Sequence, residues 1–498
     1  MQYEILKKLK SGTDVRGVAV GDKSSVTLTD EAVVAICRAF VKRLADKLCK
    51  TNLTIAVGND SRISAERIKN AVTRAITQSG ANVVYTGLSS TPSMFMLLHS
   101  PSFGCDASIM ITASHMPSDR NGLKFFTAQG GLDGKDIDEI LSFAAEENFL
   151  NGCGTGSYVE KPFMDEYSAT LVEKVEKSCG KLPLKGKKII VDAGNGAGGF
   201  FVKKVLKPLG ADTEGSQFLQ PDGNFPNHIP NPEDKTAIKS LSSAVIKNKA
   251  DLGIIFDTDV DRAACVGPDG EEINRNSLIA LISGILLKEK AGVIVTDSVT
   301  SDYLTEFIES RGGKHLRYMR GYRNVIDKCV ELNESGVYSP LAIETSGHAA
   351  FKENYYLDDG AYLIVKILIS LAEQAKEGKS LQEVISSLKK PAEEAEIRIT
   401  FNETSKDFKS EGAAVIESLK KIAQNDADLR LAPDNYEGVR INLYDGWLLV
   451  RMSVHDPVMP INFESGTVGG VKKSAEKLLS VLRDFPFLDI RKLKNFIA

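Results

Sequence analysis

Three stretches of this chain repeat one local plan: an apolar strand, a short polar loop, an amphipathic helix, a glycine turn and a second strand. The first is LTIAVGNDSR…AVTRAITQSGANVVYTG (53–87), the second KKIIVDAGNGAGGFFVKKVLKPLGAD (187–212) and the third GVIVTDSVTSDYLTEFIESRGGKHLRY (292–318). The spans from Val57, Val191 and Val295 to the closing Gly80, Gly210 and Gly312 are similar. Continuous β-branched runs suit strands buried on both faces, and glycine is the usual stop of a crossover helix. A unit that recurs three times predicts three similar α/β domains with mixed sheets.

The last hundred residues follow another plan. EIRITF (396–401) reads as a strand, EGAAVIESLKKIAQ (411–424) as a helix, and VRINLY-DG-WLLVRM (439–452) as a hairpin closed by Asp445-Gly446. INFES then leads into a final helix, GGVKKSAEKLLSVLRDF. These antiparallel pairs predict a C-terminal α+β domain. The expected boundaries are 1–155, 156–273, 274–391 and 392–498, the last near the charged, Pro391-containing KKPAEEAE.

Composition narrows the partners. Lys+Arg 62 against Asp+Glu 66 leaves a formal charge of -4, so there is no polycationic face for nucleic acid. No apolar run reaches the roughly 18 residues of a membrane span. The best candidate, LIVKILISLA (363–372), is interrupted by Lys366, and the first residues lack the apolar core of a signal peptide. Seven cysteines without a C-x-x-C pair fit reduced, packed thiols better than a disulfide framework or a zinc site. The expectation is a soluble, cytoplasmic protein with neither nucleic acid nor membrane as partner.

Four loops carry the chemistry. In FDTDVDR (256–262), Asp257, Asp259 and Asp261 alternate after a buried strand, so an extended loop would point three carboxylates one way. Hard oxygen ligands with open positions suit Mg²⁺, and Arg262 beside them is a good phosphate holder. An EF-hand is rejected, because Arg262 and Pro268 stand at its sixth and twelfth positions. A solvated acidic turn is the plain alternative. In SIMITASHMPSDRNGLKFF (108–126), a strand runs into a loop carrying Ser114 and His115, with Lys124 beyond. Thr112 and Met116 replace the glycines of a hydrolase elbow, and a serine capping its own loop would look the same.

AIETSGHAAF (342–351) alternates Glu344, Ser346 and His348, equipment suited to sugar hydroxyls or to a plain turn. LLVRMSVHDP (448–457) places Arg451 and Ser453 where a loop can cradle a phosphate, or where a strand merely ends. DAGNGAGG (192–199) contains the G-x-G-x-x-G of dinucleotide folds. Asp212 and Glu214 precede the next apolar stretch instead of closing the second strand as a ribose-binding acid would, so a tight strand-to-helix turn is the better reading.

Taken in order, SGTDVRG (11–17), TASHMPSDRNGLK, DAGNGAGG, PDGNFPNHIPNP (221–232), DTDVDR, ETSGH and RMSVHDP resemble the α-D-phosphohexomutases, from about residue 11 to the chain's end. The resemblance implies a heart-shaped fold of four domains, with Ser114 phosphorylated in the resting enzyme. It implies Mg²⁺ on Asp257, Asp259, Asp261 and a phosphoserine oxygen of Ser114. Arg16, His115, Lys124 and Arg262 match groups around the transferring phosphoryl, with Lys124 and His348 candidates for proton transfer. Glu344 and Ser346 match sugar-hydroxyl contacts. Arg451 and Ser453, with Val454 and His455, match the clamp on the substrate's existing phosphate. Arg320, Gly321 and Tyr322, in MRGYRN (319–324), occupy the region that often discriminates sugars.

The implied activity interconverts hexose 1-phosphate and hexose 6-phosphate, of glucose and/or mannose, in a monomer or homodimer. A hexose 1,6-bisphosphate is the intermediate and activator. Phosphoglucosamine mutase is the nearest alternative, and a catalytically silent sugar-phosphate-binding paralogue the alternative from another class. The chain departs from the family pattern with Thr258 and Val260 between its aspartates, Met116 where asparagine is common, and Val454-His455 in the clamp.

Overall fold

The computed structural model describes residues 3–146, 156–426, 428–453 and 456–498. The chain divides into two compact units, residues 1–274 with 346–383, and residues 275–345 with 384–498.

In the first unit the strand Thr54–Asn59 runs parallel between Asn82–Leu88 and Ala107–Ile111, with Val57 opposite both Tyr85 and Ile109. Arg120–Thr127 then returns antiparallel and carries Asp14–Val18 on its far edge. Helices Asp30–Leu48, Ala65–Gln78 and Gly134–Ala145 supply the other side of this core, where Phe40, Val72 and Ile140 meet Ile55, Val57 and Ile109. Each side chain of that size contributes about 1.5–3 kcal/mol when fully buried. The helices start where the sequence offers caps: Thr29 accepts from Ala32 N, and Asp133 forms a capping box with Asp136.

A second sheet in this unit pairs Ile189–Asp192 parallel with Leu252–Phe256, which turns into the antiparallel strand Ala263–Val266. Asp234 caps the covering helix Lys235–Asn248. The second repeat is reduced relative to expectation. Its helix is a 3₁₀ turn at Ala197–Gly199 followed by π winding over Val202–Leu206, and its closing strand survives only as bridges Lys188–Asp212 and Asp192–Gln217. Pro208 cannot donate and its ring crowds the carbonyl four residues back, so Lys207 N donates to Val202 O instead. Lys366, the charge within the longest apolar run, is buried in helix Gly360–Lys376 and paired with Glu353 at 3.0 Å. No helix among the described residues is long and apolar enough to cross a membrane.

In the second unit Val293–Thr296 lies parallel between Lys314–Arg317 and Leu341–Ile343, with helices Arg275–Glu289, Asp302–Ser310 and Tyr322–Glu334. The C-terminal sheet is antiparallel. The predicted hairpin forms between Val439–Leu443 and Gly446–Val450, and Val458–Ser465 joins it to Glu393–Phe401. Helices Phe408–Asn425 and Gly470–Leu482 cover the core of Ile399, Ile441, Leu448 and Phe463. A short strand, Leu488–Asp489, and a last helix, Arg491–Ile497, follow beyond the predicted final helix.

Candidate active site

The first unit gathers Ser114, Lys124, the three aspartates and Arg262. Ser114 stands three residues beyond the strand Ala107–Ile111, in left-handed backbone (φ 52), with its N–H donated to Thr112 Oγ1 at 2.9 Å. That conformation costs a non-glycine residue of order 1–3 kcal/mol and persists where surrounding contacts over-determine it. The buried Ser114 hydroxyl donates to Asp257 Oδ2 at 2.9 Å, accepts from Arg262 Nη2 at 3.2 Å and lies 3.2 Å from His115 Nδ1.

The aspartate loop is not extended, as alternation alone suggested. It is the connection of an antiparallel pair, Phe256 opposite Ala263, and must reverse the chain within six residues. Val260 takes φ 66 to do so, and its N–H reaches Asp257 O at 3.3 Å. The turn still brings one carboxylate oxygen from each of Asp257, Asp259 and Asp261 within 4.8 Å of the others. Glycines of the second repeat make room for it. A Cβ on Gly196 would lie 2.6 Å from Thr258 O, and Ala197 N donates to that same carbonyl at 2.8 Å. The G-x-G-x-x-G run therefore supports the aspartate loop by close backbone approach.

Charge in this cluster is unevenly shared. Burial, and then the neighbouring Asp261 and Asp259, push the Asp257 carboxyl well above its usual range. Asp261 is also buried, yet Lys124, His348 and Arg262 hold it far below that range. Lys124 donates to Asp261 Oδ2 at 2.5 Å and Asp259 Oδ2 at 2.9 Å, which outweighs its burial and keeps it an ammonium. Asp259 Oδ1 and Asp261 Oδ1 are buried without a hydrogen-bond partner among the described residues. Two such oxygens beside a third carboxylate fit a hard divalent cation.

The two histidines differ. His115 is pushed down to about 2 by burial and by the positive charges of Arg262 and Arg16, so it is neutral. Arg16, on the strand beside Gly122, pairs with Asp14 at 2.6 Å. For His348 burial disfavours the charge, but Asp358 and Asp261 raise it to about 9. Its Nδ1 is hydrogen-bonded to Asp358, and its backbone bridges Arg262. Ser346 belongs to this unit as well, and its buried Oγ has no hydrogen-bond partner among the described residues.

In the second unit a separate polar cluster forms. Glu344 Oε1 accepts from Gly321 N at 2.7 Å, just ahead of Tyr322 at its helix start. Arg320 Nε lies 3.8 Å from the buried Asp297, which also accepts from Thr345 Oγ1 at 2.7 Å. Glu437 accepts from Ser298 Oγ at 2.5 Å and from Arg320 N at 3.0 Å, and Arg451 Nη1 is 3.6 Å from its carboxylate. Ser453 N is tied to Val458 O at 2.9 Å. Val454 and His455 lie outside the described residues. Asp297, Asp358 and Glu437 were not singled out in the sequence. The DDG run at 358–360 was a usable signal, since Asp359 caps the next helix and leaves Asp358 free for another task.

Family models for phosphoglucomutase/phosphomannomutase match in chain order: alpha/beta/alpha domain I over residues 7–151, domain II over 165–270 and domain III over 274–391. The phosphoglucomutase of Neisseria gonorrhoeae is 30% identical over 486 residues, 97% of this chain and 98% of that protein. The phosphomannomutase/phosphoglucomutase of Pseudomonas syringae pv. tomato is 30% identical over 484 residues, 95% and 96% of the two chains. A crystal structure of a phosphoglucomutase/phosphomannomutase family protein from Burkholderia thailandensis superposes with a TM-score of 0.81 at 26% identity, covering 98% of this chain and 99% of that one.

Proposed function

Since the chain belongs to the phosphoglucomutase/phosphomannomutase family, we propose that it is an isomerase interconverting hexose 1-phosphate and hexose 6-phosphate, of glucose and/or mannose, with Ser114 as the phosphoryl carrier. The observation that carries this reading is the Ser114 hydroxyl, buried, backbone-strained and in contact with Asp257, Arg262 and His115 together. A hydroxyl that merely capped its own loop would not collect a carboxyl, a guanidinium and an imidazole.

In the proposed cycle the seryl phosphoryl passes to the free hydroxyl of a hexose monophosphate. The P–Oγ bond breaks, a P–O bond to the sugar forms, and the proton lost by the sugar ends on Ser114 Oγ. The resulting hexose 1,6-bisphosphate turns end for end and returns its other phosphoryl to Ser114. Positioning and charge neutralisation supply most of the rate in such transfers.

Arg262 donates to the oxygen that carries the phosphoryl. Lys124, kept charged between Asp259 and Asp261, suits charge neutralisation better than proton abstraction. His348, oriented by Asp358 and raised only to about 9, releases its proton more readily than Lys124 and is the stronger candidate for relaying one. Arg16 and His115 complete the surroundings of the phosphoryl. Asp257, Asp259 and Asp261, with a phosphoserine oxygen, would hold Mg²⁺, which when bound neutralises charge building on the phosphoryl oxygens. Glu344 and Ser346 are assigned to sugar hydroxyls, Arg320, Gly321 and Tyr322 to sugar discrimination, and Arg451, Ser453, Val454 and His455 to the distal phosphate.

The test is a coupled assay with glucose 1-phosphate, mannose 1-phosphate and glucosamine 1-phosphate, with and without glucose 1,6-bisphosphate, alongside peptide mass analysis. Dephosphorylated enzyme should be nearly inactive until primed, active enzyme should carry phosphate on Ser114, and Ser114→Ala should not respond to priming. Wild-type turnover by Ser114→Ala would end this reading. Preference for glucosamine phosphate would move the substrate to the amino sugar.

A further inference from the structure

Behind the Ser114 loop lies Arg62, on the turn between strand Thr54–Asn59 and helix Ala65–Gln78, with only 2% of its surface exposed. Its guanidinium touches no side chain assigned above to phosphoryl, sugar or metal, and meets Ser114 only at its backbone carbonyl. Nη1 donates to Pro117 O at 2.7 Å and to Arg120 O at 2.8 Å. Nη2 donates to Met116 O at 2.6 Å and to Ser114 O. Nε lies 3.3 Å from Asp60 Oδ2. The four terminal N–H donors are thereby committed to carbonyls of one seven-residue loop, while Nε faces Asp60 as an ion pair.

Asp60 closes the circuit. Its Oδ2 accepts from Thr112 Oγ1 at 2.6 Å, and Thr112 Oγ1 in turn accepts from Ser114 N at 2.9 Å. Ser114 is thus held through its N–H by Asp60 by way of Thr112, and through its carbonyl by Arg62. These are the two backbone groups that flank its left-handed φ of 52. The same turn receives the PDGNFPNHIPNP loop. A Cβ on Gly223 would lie 2.3 Å from Ile63 N, so glycine is required there, and the Phe225 ring centroid sits 5.3 Å from Arg62 Cζ. That loop carries Asn231, whose Oδ1 accepts from Arg262 Nη1 at 3.5 Å.

A buried guanidinium is costly to desolvate, and general packing would be served as well by an apolar residue. What an apolar residue cannot do is gather four carbonyls at once. We propose that Arg62 is the positioning residue of the phosphoryl carrier: by collecting the carbonyls of Ser114, Met116, Pro117 and Arg120 it sets the backbone that aims Ser114 Oγ at Asp257 and Arg262. This rests on the reading of Ser114 as the carrier. Within the loop Arg120 N also donates to Pro117 O at 3.0 Å, but Arg62 is the group that gathers all four carbonyls. Without the cation they repel, the left-handed residue relaxes, and the hydroxyl leaves its line.

The test uses the full chain, primed with glucose 1,6-bisphosphate, as wild type, Arg62→Lys, Arg62→Gln and Thr112→Val. The last removes the Asp60 link and leaves Arg62 intact. Folding is checked by circular dichroism and Tm, and rates are expressed per folded molecule. Because Arg62 does not meet substrate, KM for hexose 1-phosphate should stay within about twofold while kcat falls about 10- to 100-fold, the scale of a misplacement of about 1 Å. Arg62→Lys, which keeps a cation and three donors, should retain more activity than Arg62→Gln. The ³¹P resonance of the phosphoserine should be single and narrow in wild type, and shifted or broadened in the variants.

A merely structural arginine would lower Tm and move neither the per-molecule kcat nor the ³¹P signal, and that result overturns the inference. Should both Arg62 variants fail to fold, Thr112→Val decides by the same readouts. Wild type without phosphate on Ser114 overturns the reading of the carrier itself. Phosphorylated wild type with unaffected variants overturns only the role of Arg62.

Discussion

Lys124 Nζ donates to Asp261 Oδ2 at 2.5 Å while also holding Asp259, so one ammonium is set against the carboxylates of the aspartate loop. It shares those carboxylates with any cation bound there, and the two compete for the same negative charge. Lys124→Met should therefore bind Mg²⁺ more tightly and yet turn over about 100- to 1,000-fold more slowly, because a fixed positive charge near the reacting groups is lost. Titration calorimetry with Mg²⁺, paired with the coupled assay, reads both. Weaker Mg²⁺ binding in the variant would contradict the competition.

Asp259 Oδ1 and Asp261 Oδ1, buried without a hydrogen bond among the described residues, predict dependence on a divalent cation. Chelation should abolish turnover and Mg²⁺ should restore it. Asp259→Asn, which removes charge at nearly constant volume, should lower kcat at least about 100-fold. Full activity in excess chelator would refute the metal assignment.

Arg451 lies 3.6 Å from Glu437 in a cluster that also holds Ser298 and Arg320. Losing one charge-assisted contact to a phosphate costs about 1.5–3 kcal/mol. Arg451→Ala should thus lower kcat/KM roughly 10- to 150-fold, and in both directions of the reaction, because the clamp serves both orientations of the intermediate. Initial rates from hexose 1-phosphate and hexose 6-phosphate check this. An unaffected direction would place the distal phosphate elsewhere.

His228, in the PDGNFPNHIPNP loop, has Nε2 3.0 Å from Asp192 Oδ2 and Nδ1 2.9 Å from Ile229 O. Burial disfavours its charge, but the Asp192 carboxylate outweighs burial and raises its proton affinity above the usual histidine range. A raised folded-state value stabilises fully below the unfolded pKa of about 6.5 and fades as pH climbs through the folded one. The Tm advantage of wild type over His228→Gln should therefore be greatest below about pH 6.5 and shrink toward higher pH. Thermal scans across that range test it, and an advantage that grows with pH would reverse the assignment.

The three repeats were legible because each buries a β-branched strand under a periodic helix, signals carried within some thirty residues. The second departs where Pro208 alters the winding of its helix and where its closing strand shrinks to isolated bridges. The aspartate trio was legible as residues but not as shape. Its convergence comes from a tight turn with Val260 in left-handed backbone, which a β-branched residue seldom adopts and no alternation rule foresees. Asp358 reaches His348 because consecutive left-handed residues, Tyr355 and Tyr356, fold the chain back between them. Glu437 meets Ser298 and Arg320 across more than a hundred residues of sequence, a range over which local pattern carries no information.

The left-handed backbone at Ser114 has a consequence for how this protein can be improved or can drift. Glycine is the residue that relieves such a φ, so screening for heat resistance alone would favour Ser114→Gly and recover a sturdier protein with no hydroxyl to load. Stability and turnover pull in opposite directions at this one position. A thermostability campaign on the chain needs Ser114 held constant, and an ancestral or metagenomic relative with glycine there would be recognisable as one that has traded chemistry for robustness.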